Sequence, residues 1–455
     1  MMNSTKGIIK KVGIYLLLIL MVNAGYLFSK KIRPDDEKYL GMFEINQSAH
    51  FFVTMDAWGY IAASMDPEKL LTDHEVRQSR PIYIVQNSIL GELLFFVTTP
   101  LHSYMQHSDF FNRLGQRVVD INEIVISKLG DRVKTLPNVI PPKYNSFDLA
   151  VRIPTFYFAY VLSNLLILLL SLLFFESIWK KISDAPVDAG IFYISLFFLL
   201  SNFLIKTFFW TAHQQMCPFL SPIFCVWLCL SVADGSIRDT KRLLAYSFLG
   251  GLLMLYYGNF ILIFPSIILP YLWINRKKLF TARVALFCIS SAIIFAIPML
   301  TWMLILKSIG VTYYNHETAA FNELVWIFDL RHLTVINIIK TVLSNFIWYF
   351  FTLKVLISII CWLIIVSLLF GKPISTVWKR ENFIWVSVVI FVFLVFFYSL
   401  GLYVDRLTYN VSVALFCLTP FFVQKMNITK GRTAFIAFLS LIWYLAVIIS
   451  YKNYN

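Results

Sequence analysis

Charged side chains are scarce in this chain. Asp, Glu, Lys and Arg make up 14% of its 455 residues, against about 25% in a typical globular domain. Long polar stretches are missing as well: none exceeds the loop from Lys30 to about Arg152. Those two absences exclude a soluble domain of ordinary size. There are six cysteines, Cys217, Cys225, Cys229, Cys288, Cys361 and Cys417, all in or beside apolar segments. They form neither a disulfide framework nor a paired metal-ligand spacing. Cys225 and Cys229, four apart, read as small apolar packing in a helix. The sequence holds no Gly-rich nucleotide loop and no metal-ligating cluster. It also lacks an internal repeat, the mark of many secondary transporters.

What is present is apolar. Hydrophobic residues make up 59% of the chain, and the mean hydropathy is +0.72. Runs near the spanning length of about 20 residues recur from end to end. The fold class read from this is all-α: a polytopic bundle of transmembrane helices. The net charge of +14 does not point to nucleic acid, because no water-exposed basic domain exists to carry it. Lys and Arg gather in short loops between apolar segments, the positive-inside pattern.

The first segment runs from about Val12 to Phe28, behind Lys6, Lys10 and Lys11. No small-x-small cleavage site follows Gly25, so it reads as a retained signal anchor. Further spans fit near 153–176, 187–205, 211–232, 243–257, 259–274, 284–306, 346–370, 383–403, 408–424 and 433–450. The stretch Ser88–Met105 is ambiguous, since it holds Glu92, Pro100 and His102. Charge decides it. With Ser88–Met105 not spanning, the inside loops hold Lys6, Lys10, Lys11, Lys180, Lys181, Arg238, Lys241, Arg242, Arg276, Lys277, Lys278, Arg283, Lys372, Lys379, Arg380, Lys425, Lys430 and Arg432. The short outside loops hold Lys206, Lys307, Arg331, Lys340, Lys354, Arg406 and Lys452. A span at Ser88–Met105 would move all but the first three inside residues to the outside, against the rule. The expectation is therefore an interfacial or re-entrant segment and about eleven spans. Three regions follow: 1–29, a cytoplasmic tail and first helix; 30–152, a large extracytoplasmic loop with interfacial helices; and 153–455, the multi-span domain. Within the loop, Asn112–Lys134 reads as an amphipathic helix, with Val118, Ile121, Val125 and Leu129 at helical spacing.

On this topology several polar groups share the outer face. They are Asp35–Tyr39, Asp56–Tyr60, Arg77–Tyr83, Lys206–Gln215, Tyr256–Asn259, Lys307–Lys354 and Asp405–Arg406. Each has an ordinary alternative. Cations at span ends snorkel, Tyr and Trp anchor interfaces, and Asp405–Arg406 can be a local ion pair. Asp56 stands out as a carboxylate embedded in FFVTMDAWGYI, where desolvation matters.

The motif Asp56-Ala-Trp-Gly-Tyr60-Ile-Ala-Ala, followed by Arg80-Pro81-Ile82-Tyr83, resembles the first outer loop of polytopic GT-C-type glycosyltransferases. The resemblance covers the layout and these two motifs. It implies a sugar transferred from a polyprenyl-phosphate donor to a cell-envelope glycan or lipid acceptor on the non-cytoplasmic face. In that reading a carboxylate takes the acceptor proton. Asp56 is preferred over the competing Asp36 and Glu37, because Arg77 and Arg80 follow it. Arg77, Arg80, Lys354 and Arg406 would meet the lipid phosphate, Arg with its planar fork. Tyr60, Tyr83, Trp58, His213 and Gln214 would contact sugar or acceptor, and the tail would lie in a groove between spans. Trp210 and Trp326 could stack on sugar or anchor the fold. The donor is a co-substrate, and no cofactor is implied. The expected location is a bacterial inner membrane, N-terminus in the cytoplasm and active face periplasmic. Two rivals share these features: an O-antigen or envelope polysaccharide polymerase, relying more on arginines, and a non-enzymatic flippase of lipid-linked sugars. A flippase would place charges mid-bilayer, whereas here they sit mainly at span ends.

Overall fold

A computed structural model describes residues 2–29, 41–46, 49–53, 55–109, 112–113, 116, 146–371, 377 and 380–450. Asp36 and Glu37, and most of Asn112–Lys134, lie outside the described residues. The described chain is helical apart from one hairpin. Helix α1 is Met2–Leu27. Strands β1 (Gly41–Asn46) and β2 (Ala49–Val53) pair antiparallel, Gly41 opposite Val53 and Phe43 opposite Phe51. Their sequences, GMFEIN and AHFFV, carry the β-branched and aromatic residues that strands favour. Helix α2 (Met55–Met65) follows, then 3-10 turns at Pro67–Leu71 and Val76–Ser79. Helices α3 (Pro81–Gln106) and α4 (Ser146–Ile182) come next, then α5 (Gly190–Leu200), α6 (Phe203–Phe208), α7 (Cys217–Ala233), α8 (Thr240–Met254), α9 (Ile263–Ile274) and α10 (Ala282–Ser308). The chain continues through α11 (His316–Phe321), α12 (Val325–Asp329), α13 (Val335–Thr352), α14 (Ile357–Phe370), α15 (Glu381–Leu400), α16 (Asp405–Phe416) and α17 (Lys430–Ile449).

Helix α7 is the centre of the bundle. It is apolar on every side, as a fully enclosed helix must be, and only Trp227 and Ala233 escape complete burial. It packs against α4, α9, α15 and α16. Around it the outward faces stay apolar. On α3, for example, Ile89, Leu93, Phe96, Val97 and Leu101 are all more than half exposed. A stripe of that size on a water-soluble protein would be a sticking surface; on this one it suits lipid.

Seven helices among the described residues are long and apolar enough to cross a bilayer. Several expected spans are shorter helices instead: α5 has 11 residues, α8 has 15, and α9 and α16 have 12 each. The causes are local. Asn202 ends the run after α5 and caps α6, accepting from the Ile205 amide at 2.9 Å. Gly258 opens a 3-10 turn before α9, and Pro420 lies in another after α16.

Ser88–Met105, expected to be interfacial or re-entrant, lies within one continuous helix whose length and composition suffice for a crossing. Pro100 does not break it. It runs antiparallel to the first half of α4: Asn87 Oδ1 accepts from the Ser163 hydroxyl at 2.7 Å, and Arg152 meets Glu92 at 2.6 Å. The close approach is made at Gly91, whose missing Cβ leaves room for the Phe156 ring.

The two ends of the bundle differ in charge. At one end Lys11 and Lys180 reach the buried Glu176 at 2.6 and 2.7 Å. Nearby, Lys181 meets Asp234 at 2.6 Å and Arg380 meets Asp184 at 3.6 Å. These are the basic loops that the sequence puts on one side. α1 and α4 span the distance from this end to Tyr26 and Tyr160, and the second polar cluster sits there.

Candidate functional site

Asp56 stands in the first turn of α2, where the helix dipole favours an anion. Its Oδ1 accepts from Arg77 Nη2 at 2.9 Å. Its Oδ2 lies 3.5 Å from His213 Nε2 and 4.0 Å from Arg406 Nη1. The Asp56 side chain keeps 48% of its surface exposed, so the site is open on one side. Burial alone would push its pKa up. The His213 hydrogen bond and the Arg77 charge outweigh that and hold it well below the usual carboxylate range.

Each partner is positioned by its own local structure. Arg77 leaves the 3-10 turn Val76–Ser79, and its own amide donates to the capping Glu75 carboxylate at 3.0 Å. Its guanidinium lies over the Tyr60 ring, 4.1 Å from the centroid. It is buried, and its Nε has no hydrogen-bond partner among the described residues. Arg80 gives one nitrogen to the Tyr60 hydroxyl at 2.7 Å and another to Glu317. Glu317 is brought in by Gln78. The Gln78 amide donates to the carbonyls of Leu70 and Thr72, and its oxygen accepts from the Tyr314 amide at 2.8 Å. Burial raises the pKa of Glu317, and the neighbouring Arg80 charge brings it back below the ordinary value.

His213 comes from the segment between α6 and α7. Asn164 of α4 ties that segment down, donating to the carbonyls of Phe208, Phe209 and Thr211 at 3.3, 2.9 and 3.0 Å. The ring is buried, edge-on to Tyr60. Burial drives its pKa down to about 4, only partly offset by Asp56. His213 is therefore neutral near pH 7 and donates its Nε2 proton toward Asp56. The Nδ1 atom, and Oε1 of Gln214, are buried without a hydrogen-bond partner among the described residues.

Not every expected residue reaches this open side. Trp58, Tyr60 and Tyr83 are at most 1% exposed. They are core: Tyr60 packs edge-on to Tyr83 and Tyr160, and Tyr83 to Tyr256. Their faces are closed to a sugar, contrary to the expectation, because the aromatic density that suggested stacking is spent on packing. Trp210 and Trp326 anchor the fold, donating to the carbonyls of Asn23 and Ser399. Lys206 is also structural. Its ammonium caps the end of α17 through the carbonyls of Val447, Ile448 and Ser450.

Lys354 lies at the rim of an apolar groove of about 630 Å³ between α5, α14 and α17. Phe198 and Trp362 stack at 4.2 Å in its wall, with Trp443 beside them. Lys354 pairs with Asp405 at 3.2 Å. The next residue, Arg406, is the one that faces Asp56. Arg406 Nε is itself buried without a partner among the described residues. The Asp405–Arg406 pair thus links groove rim to carboxylate.

Sequence reasoning missed three residues of this end. Asn164 and Gln78 are buried amides that give no periodic signal. Glu323 lies between Asn322 and Leu324, both at positive φ (52° and 66°), and only its isolation among apolar residues marks it. Among the described residues no group of His, Cys, Asp and Glu could hold a metal ion. No family model, curated protein or solved structure matches this chain, so the chemistry of the site rests on its own geometry.

Proposed function

We propose that this protein is a membrane glycosyltransferase that moves a sugar from a polyprenyl-phosphate donor to a hydroxyl of an envelope glycan or lipid. The observation that carries it is the chain of contacts from Lys354 on the groove lining to Asp405, and from its neighbour Arg406 to Asp56. A polyprenyl tail fits such a groove, its phosphate meets Lys354 and Arg406, and the sugar then hangs beside Asp56. In the step, the acceptor oxygen bonds to the anomeric carbon while the bond from that carbon to the phosphate oxygen breaks. The hydroxyl proton passes to Asp56, and polyprenyl phosphate leaves. Arg80 contributes little to the phosphate, since it does not line the groove and gives its nitrogens to Tyr60 and Glu317.

A carboxylate with a depressed pKa is a weak base in the resting site. Phosphate binding corrects this. An anion on Arg406 shares the charge that now faces Asp56, so the proton affinity of Asp56 rises as the donor arrives. Charge stabilisation of the leaving phosphate is the larger contribution to rate. The test is transfer by Asp56→Asn in proteoliposomes supplied with polyprenyl-phosphate sugars and envelope acceptor. A loss of about 10²-fold or more, the range for a positioned base, is expected with unchanged folding and donor binding. Undiminished transfer would remove Asp56 from the chemistry. It would favour the polymerase reading, which leans on the arginines.

A further inference from the structure

A second cavity, of about 240 Å³, opens on the far side of Arg80. It is smaller than the roughly 300 Å³ lower bound of drug-sized pockets, which leaves room for one small ring. Glu317 and Glu323 line it together with Tyr257 and Asn259. Two carboxylates alone would be no more than an acidic patch. Here, however, the Tyr257 hydroxyl and the Asn259 amide nitrogen are buried in the wall, 3% and 6% exposed, with no hydrogen-bond partner among the described residues. A buried amide donor left unpaired is costly, so such atoms mark a place where a polar ligand belongs.

We infer that this cavity is a subsite for a single uncharged sugar ring, its hydroxyls donating to Glu317 and Glu323 and accepting from Asn259 and Tyr257. The charge balance selects the class. Arg80 answers Glu317, while Glu323 has no hydrogen-bond partner among the described residues and keeps its carboxyl group free for a sugar hydroxyl. Burial and the Glu317 charge lift the Glu323 pKa to about 7. A phosphate or carboxylate would face both glutamates and find Arg80 already occupied. The subsite adjoins the Asp56 cluster: Arg80 bonds Tyr60 on one side and lines the cavity on the other, and Leu407, next to Arg406, closes it. That is where the acceptor's terminal sugar would sit. The inference deepens the transferase reading, but its test does not depend on transfer.

The experiment is ligand binding to the full chain in nanodiscs, read by saturation-transfer NMR without any lipid donor. The probes are neutral hexoses and N-acetylhexosamines, with glucuronate and glucose 6-phosphate as anions and glucosamine as a cation. At least one neutral sugar should bind, and both anions should bind at least about tenfold more weakly. Asn259→Ala and Glu323→Ala should each weaken the neutral sugar about tenfold, the scale of one lost hydrogen bond. Glu323→Gln, which keeps an acceptor, should recover part of that loss and shows that the alanine effect is not misfolding. Failure of every neutral sugar to bind a folded protein overturns the inference. So does binding of glucosamine alone, or equal binding by wild type and both alanine variants. If no donor supports transfer yet the neutral sugar binds with this pattern, the subsite stands and the transferase reading falls.

Discussion

Arg77 reaches Asp56 with one nitrogen while its plane covers the Tyr60 ring. Asp56 is thereby held ionised and aimed. Because its pKa is depressed, Asp56 stays charged above its lowered pKa and is neutralised as pH falls through it. Replacing Arg77 by Gln keeps a donor but removes the charge, so the Asp56 pKa moves up. The acid limb of the transfer rate against pH should then move to higher pH, with the loss in kcat larger than the change in KM. A full pH profile of Arg77→Gln checks this, and an unshifted limb would show that Asp56 does not control the rate. At this scale the sequence was half readable. His213 and Arg406 are polar groups at the ends of expected spans, and Asp56 and Arg77 stand out in the first loop, a carboxylate in apolar surroundings and a cation that follows it. Trp58, Tyr60 and Tyr83 were misread because composition cannot distinguish an aromatic that stacks on a ligand from one that packs in a core. Asn164 and Gln78 act through backbone carbonyls brought close only by the fold.

Helices pack here through small residues as well as large ones. On α8, Gly250 and Gly251 meet α10. A Cβ at Gly251 would lie 2.1 Å from the Phe295 carbonyl oxygen, closer than any real contact. The same pair of helices shares a hydrogen bond between Ser247 and Ser291 at 2.6 Å. In lipid such close backbone approach is a main source of association, since burial of apolar surface gains little there. Gly251→Val should therefore separate α8 from α10 and cost about 1–3 kcal/mol or more, as overpacking does. The measurement is the monodisperse fraction and melting temperature in detergent. Gly431→Ala on α17, where an added Cβ meets nothing within 4 Å, should change neither, and equal behaviour of the two variants would refute the packing argument. The apolar runs made the helices legible, yet not their lengths. Whether a run continues as one helix depends on single residues: Asn202 and Gly258 stop theirs, while Pro100 and Pro154 are carried inside helices of 26 and 37 residues.

The whole molecule gathers its ion pairs at the two ends of the bundle. Glu176, Asp184 and Asp234 answer lysines and arginines of the basic loops at one end, and Asp56, Glu317 and Asp405 answer Arg77, Arg80 and Lys354 at the other. By the positive-inside rule, surplus Lys and Arg in short loops favour the cytoplasmic side, and the reading proposed above puts the Asp56 end on the opposite face. A lipid-linked donor suits that face, because nucleotide sugars are made in the cytoplasm and a lipid carrier is what brings a sugar across. The check is cysteine accessibility in intact cells, in a Cys361→Ser background because that thiol is exposed. Asn315→Cys, on the rim of the small cavity, should react with a membrane-impermeant maleimide from outside. Arg238→Cys, in a basic loop, should react only after permeabilisation. The reverse pattern would turn the site toward the cytoplasm. It would leave the groove and Asp56 where they are but make a soluble, nucleotide-linked donor the reading to pursue.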